Sequence, residues 1–275
     1  MKNNQLYYID FDKLFENYAD KYYGMHEDEY DSPDDFARDL DKVYQIWSTS
    51  PQDVIGGISP TEFFARIPKS ELIDILKGSC DGDNNPNSLL FDRIASEPEL
   101  LGDLVVLAKS ATDEKLLLVT LSLISELGGA NSEFYMDMME RDIDACVKEE
   151  CVEALCDRAE EVKEELLERA LSSTDIAKIE MYLEPLTFCA PGDDRILGLL
   201  RELLASDPNV AYVAALIGRY GDDRACADLY KLLDDCDYAE FLEIRNAIEE
   251  LGGTVDAHYK DFSDDPLYKV IKGNK

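Results

Sequence analysis

A four-residue string that returns at a fixed interval limits the folds open to this chain. Gly192-Asp193-Asp194-Arg195 recurs 29 residues later as Gly221-Asp222-Asp223-Arg224. The correspondence runs past the string, because Leu200, Leu203 and Leu204 fall on Leu229, Leu232 and Leu233. Leu251-Gly252-Gly253 follows, its first glycine 31 residues beyond Gly221, and Leu127-Gly128-Gly129 lies 64 residues before Gly192, two periods of 32. The unit between, near Ala154-Leu155, has lost its glycine and reads as degenerate. A period of about 30 residues with glycine between helices predicts stacked helix pairs, in which each unit needs neighbours to bury its apolar face.

The chemistry of the string fits a turn. Gly221 would end a helix in a left-handed conformation that carries no Cβ penalty. Asp222 or Asp223 would cap the next helix and favour its positive end. Arg224 would pair with an aspartate of the neighbouring repeat, giving a ladder along the stack. Leu116 to Leu127 and Val210 to Ile217 are apolar on nearly every side, as inner helices are. The acidic stretch Val147 to Leu171 reads as outer helix.

At these residues the chain resembles HEAT-like repeats of the phycobilisome-lyase type, whose core runs A-x-x-L-G-x-x-G-D-x-R-A-x-x-x-L. Ala214 to Leu233, AALIGRYGDDRACADLYKLL, follows that pattern, and Pro191 to Leu204 follows its second half. The resemblance covers roughly residues 110–253 and implies architecture only. Such repeats serve lyase-like proteins, chaperones and scaffolds, and fold does not fix function. No lyase motif carries over. The iron-binding hydroxylases built on these repeats need repeated His-Glu pairs, and the sequence has His26-Glu27 alone, outside the repeats.

Upstream, helical periods continue. Phe11, Leu14, Phe15, Tyr18 and Tyr22 share one face, and Phe36, Leu40, Val43, Tyr44 and Trp47 share another. Ser32-Pro33 supplies an N-cap and an N1 proline, and Ser59-Pro60-Thr61-Glu62 reads as a capping box. Trp47 to Ile67, with its Gly-Gly-x-Ser-Pro-x-Glu-aromatic run, resembles an element of small helical bacterial proteins. The fold class expected is therefore all-α: an N-terminal helical region over 1–80, a linker over 81–92, HEAT-like α-solenoid repeats over 93–253, and a tail over 254–275. The tail either caps the open end of the solenoid or is a flexible basic segment docking on the acidic body.

Charge decides what the stack avoids. With 27 Lys+Arg against 60 Asp+Glu, the formal charge is −33. That excludes a broad basic face for bare nucleic acid or an anionic membrane. The N-terminus MKNNQLYYIDFDKL has no apolar signal-peptide region, no run spans a bilayer, and seven cysteines suit a reducing cytosol, so a cytoplasmic protein is expected.

Chemical motifs are sparse. Cys146, Cys151 and Cys156 step about 140° around a helix and cannot converge on a metal. Asp81 to Asn85, with Asp92 in twelfth place, imitates a calcium loop but carries Pro86 where glycine is required, so a polar linker with an Asn87 or Ser88 cap competes with it. No nucleophile–base pair or phosphate loop occurs, and no catalytic residue, cofactor or metal is expected. Arg195 and Arg224 either clamp an anion or bridge repeats. Tyr212 fits a core, whereas Tyr220 beside its turn reads as surface. Tyr220, Arg195, Arg224 and Tyr230 are thus the candidate partner-binding surface. The function expected is a noncatalytic protein-interaction or scaffold module for a basic protein or peptide. A nucleic-acid mimic that inhibits a DNA- or RNA-binding protein is the alternative, and a lyase-like enzyme or chaperone is the third.

Overall fold

The computed structural model describes residues 9–80, 86–206, 209–256 and 258–273. Among these the secondary structure is helical, with one isolated bridge pairing Gln52 with Ile58. The protein is all-α and repeat-like. Its contacts divide it after Ala130. The division does not fall at 81–92: the helices on either side of that segment pack together, and residues 81–85, which hold every ligand of the calcium-like loop but Asp92, lie outside the described residues.

The first unit runs α1 (Phe11–Met25), α2 (Pro33–Arg38), α3 (Leu40–Thr49), α4 (Pro60–Ala65), α5 (Lys69–Ser79), α6 (Ser88–Ala95), α7 (Leu101–Ser110) and α8 (Glu114–Glu126). Aromatic packing organises its start. The Phe11 ring lies 4.7 Å from Phe64, and Phe15 lies 5.3 Å from the fully buried Trp47. Ser32 caps α2 by accepting from the Asp35 amide, and Asn87 caps α6 by accepting from the Leu89 amide. The expected box at Ser59 is half formed: the Ser59 hydroxyl accepts from the Glu62 amide, but the Glu62 carboxylate turns to Arg66. The 36–47 periodicity is split at Asp39, whose amide bonds back three residues to Phe36. That tight step leaves Phe36 against Tyr23 while Val43 and Trp47 enter the core.

The second unit runs α9 (Ser132–Met139), α10 (Ala145–Cys156), α11 (Ala159–Ser172), α12 (Ile176–Leu186), α13 (Asp194–Ser206), α14 (Val210–Tyr220), α15 (Cys226–Tyr230), α16 (Tyr238–Glu250) and α17 (Pro266–Gly273). Each helix packs chiefly on near neighbours in the chain: α9 on α10, α12 on both α10 and α11, α13 on α12 and α14, α14 on α16, α16 on α15 and α17. This is the pattern of a stack. The acidic stretch 147–171 is two helices, broken at Asp157-Arg158. Arg158 sits at φ −125°, a conformation open to any residue, so the degenerate repeat turns without glycine. Gly192 and Gly221 instead have φ of +113° and +74°, where a side chain would be strained.

Close approach explains a further glycine. Gly218, inside α14, faces α16 so tightly that a Cβ would lie 3.0 Å from the Ala247 Cα. The tail caps the stack: Phe262 is buried, its ring 4.9 Å from Phe241, and the Asp265 carboxylate accepts from the Tyr238 amide at 3.1 Å. Lys260 donates to the carbonyls of Asp234 and Cys236, each at 2.8 Å.

Two glycine substitutions separate packing from propensity. Gly218→Val should destabilise by about 2–3 kcal/mol, since α14 and α16 must part. Gly198→Ala, inside α13 with nothing within 4 Å of the new Cβ, should stabilise by about 0.5–1 kcal/mol. Urea unfolding followed by circular dichroism measures both, and equal effects would refute the close approach.

Candidate functional site

The repeat string builds a clasp, and it does so twice. In the first copy the Asp193 carboxylate accepts from the Arg195 amide at 3.0 Å, from Nε at 3.1 Å and from Nη2 at 2.7 Å. In the second, Asp222 accepts from the Arg224 amide at 3.2 Å, Nε at 2.9 Å and Nη2 at 2.7 Å. Each guanidinium also reaches back one repeat. Arg195 makes two 2.7 Å hydrogen bonds to Glu164 on α11, and Arg224 bonds to Asp194 on α13 at 2.6 Å. Arg169 adds a similar step, reaching Glu140 at 2.7 Å and Asp137 at 3.2 Å. The sequence separations of 31, 30 and 29 residues between Arg195 and Glu164, Arg224 and Asp194, and Arg169 and Glu140 follow the repeat period.

The four candidate surface residues are therefore occupied. Arg195 and Arg224 bridge repeats, as one of the two sequence expectations has it. Tyr220 is not at the surface: it is buried, and its phenol oxygen accepts from the Asp193 amide at 2.9 Å, pinning the preceding repeat's turn. Packing of α14 decides this, because the helix is covered on almost every side at its C-terminus. Tyr230 keeps an exposed ring edge, but its hydroxyl donates to the Thr254 carbonyl at 2.9 Å and accepts from the Thr254 amide at 3.1 Å. Tyr212, half-buried, donates to Glu184, and burial, with the Glu184 charge beside it, pushes its hydroxyl well above the ordinary phenol value.

A groove of about 1180 Å³ lies open between α9, α11 and the start of α12. Six carboxylates and two cations line it. Glu161, Glu165 and Glu168 project from one face of α11 at offsets of 0, 4 and 7, all exposed, and among the described residues they make no ion pair. Glu133 faces them from α9. Glu140 differs: the Tyr182 hydroxyl and Arg169 both donate to it, which lowers its pKa despite partial burial. Arg169 is thus committed, leaving Lys178 as the exposed cation. Met136, Val162 and Tyr182 form an apolar floor. The sequence held a signal for this face in the spacing of EEVKEELLER, but the contribution of α9 depends on tertiary packing.

Burial suppresses the chemistry of three thiols. Burial pushes Cys151 up to about 12, and Cys156 and Cys189 up to about 11, so these three are protonated at neutral pH. Cys146, Cys151 and Cys156 are exposed, buried and intermediate respectively, as divergent directions require. No described helix is long and apolar enough to cross a membrane.

No protein-family model and no curated protein matches the sequence. Among solved structures the chain is similar to the crystal structure of an engineered protein from a structural-genomics consortium. The identity is 17% over 71% of this chain and 98% of that one, with a TM-score of 0.35. A likeness that loose carries no argument about fold or function.

The clasp makes stability depend on acid pH. Its hydrogen bonds to Arg195 hold Asp193 down at about 2, against an ordinary value of 3.8. A depressed carboxyl stabilises the fold fully above the unfolded value and loses that contribution as pH falls towards 2. Because Arg195 is partly exposed, solvent screening limits the contribution to about 1 kcal/mol. Asp193→Asn should lower stability by that amount at neutral pH and leave it unchanged near pH 2. Urea midpoints across that range test it, and a loss independent of pH would refute the assignment.

Proposed function

We propose that this protein is a noncatalytic interaction module whose second unit, a HEAT-like stack, receives a basic segment of a partner protein in the α9–α11–α12 groove. The observation that carries this reading is the row of unpaired carboxylates. Asp193, Asp222 and Glu164 elsewhere in the stack are each engaged with an arginine. Glu161, Glu165 and Glu168 face solvent and have no such partner among the described residues. Like charges four residues apart on a helix repel one another, so an arriving cation relieves an existing strain besides forming new pairs.

The lining supports binding over catalysis. The groove carboxylate with a lowered pKa, Glu140, is tied to Arg169 and Tyr182, and neither cysteine nor histidine is among the described residues that line the groove. The apolar floor offers contact for the alkyl stems of lysine or arginine, whose charged ends then reach the rim. Charged rims of this kind favour fast, salt-sensitive association. A reducing cytoplasm is consistent with the seven cysteines of a chain of this length.

An arginine-rich synthetic peptide serves as probe. It should bind the full chain at low salt and weaken steeply at high salt. Joint replacement of Glu161, Glu165 and Glu168 by lysine should weaken it by at least about tenfold, since each rim pair contributes up to about 1 kcal/mol. The same replacement of Glu27, Asp28 and Glu29, exposed acids of the first unit, should change affinity less than about twofold. Equal losses in the two variants would reduce the groove to one more part of a general negative field and overturn the reading.

A further inference from the structure

The last helix carries an apolar face that the described residues leave uncovered. Tyr268 turns inward, its ring 4.9 Å from Tyr238. Leu267, Val270 and Ile271 turn outward and are 41%, 62% and 46% exposed. Offsets of 0, 3 and 4 put these three on one stripe of α17. The surrounding charge is also unusual for this protein. From Pro266 to the end the sequence has three lysines and no acid, in a chain whose net charge is −33. Lys269 is exposed beside the stripe. Exposed aliphatic stripes bordered by one sign of charge mark interaction surfaces.

We propose that α17 docks into the α9–α11–α12 groove of a second copy of this chain, joining molecules head to tail. The proposal rests on the groove being a receptor for basic segments. Charge complementarity selects the occupant: α17 carries Lys269 and Lys272 and no acid, and the groove presents four acids that make no ion pair among the described residues, if Glu133 is counted with the α11 row. Apolar complementarity follows the same line, since Met136, Val162 and Tyr182 line the groove floor. Size agrees too. An eight-residue helix is about 12 Å long and about 10 Å across, on the scale of a 1180 Å³ groove. The same copy cannot supply both halves, because α17 is fixed on α16 by Tyr268 and Phe262, and α13 and α14 lie between α12 and α16 in the packing order. A membrane is the poorer occupant: an anionic surface repels a body of this charge.

Such a contact is heterologous, with different patches meeting, so it propagates unless rotation closes a ring. Sedimentation velocity of the full chain over a concentration series tests it, at low and high salt. The expected result is a mass that grows with concentration at low salt and falls to the monomer at high salt. Val270→Asp with Ile271→Asp, both at exposed positions, should be monomeric, as should the triple lysine variant at Glu161, Glu165 and Glu168. Mixed in equal amounts, the two variants retain one intact helix and one intact groove, so the mixture should form dimers and stop there. A wild-type monomer at every concentration overturns the proposal, as does self-assembly of either variant. Flotation of the wild-type chain with phosphatidylserine vesicles would assign the helix to a membrane and overturn it equally. The arginine-rich peptide keeps the two proposals apart. If it binds the groove of the α17 variant while the wild type stays monomeric, self-assembly falls and the groove reading stands; if it does not bind, both fall.

Discussion

The Asp-x-Arg clasp fixes two successive turns of the second unit and ties each to the repeat before it. A glycine at positive φ turns the chain, the aspartate after it gathers an amide and a guanidinium two residues on, and the same guanidinium reaches one repeat back. A single side chain therefore fixes the local turn and the spacing to the previous repeat together. The buried partner matters most. The Asp222 side chain is only 4% exposed, so its charge needs Arg224 to compensate for lost hydration. The more exposed end of each bridge, such as Asp194, adds little energy and mainly sets direction. Tyr220 completes the arrangement by holding the Asp193 amide from the next helix pair.

The clasp also sorts the acids of a very acidic protein. Some are structural: they cap helices, as Asp113 and Asp237 do, or neutralise the arginines that join repeats. Others have no such task, and along α11 they are concentrated on one face beside an apolar floor. A net charge of −33 by itself says only what the protein repels. Divided in this way it becomes a positional statement, with one uncommitted row at the α9–α11–α12 groove.

How much of this could be read from the sequence depended on how local each feature is. The turns were legible because positive φ demands glycine and an aspartate side chain bonds its own backbone, both within four residues. The caps at Ser32, Ser59 and Asn87 were legible for the same reason. The breaks at Asp39 and Arg158 were not, since they use backbone conformations that any residue adopts and leave no compositional mark. Tyr220 was misplaced because a tyrosine beside a turn can face either way, and only the packing of α14 against its neighbours chooses. The groove combines an α9 face and an α11 face from different stretches of chain, so only half of it had a sequence signature. The division after Ala130 likewise follows contacts among α5 to α8 that the polar run at 81–92 conceals.

The central claim is that clasped acids hold the stack and unclasped acids meet the partner. Hydrogen exchange read by mass spectrometry, with and without the arginine-rich peptide, tests it most directly. Added protection should concentrate in peptides spanning residues 131–182, with those around Gly192 and Gly221 unchanged. Protection centred on the clasp turns, or spread evenly over the acidic surface, would contradict the account.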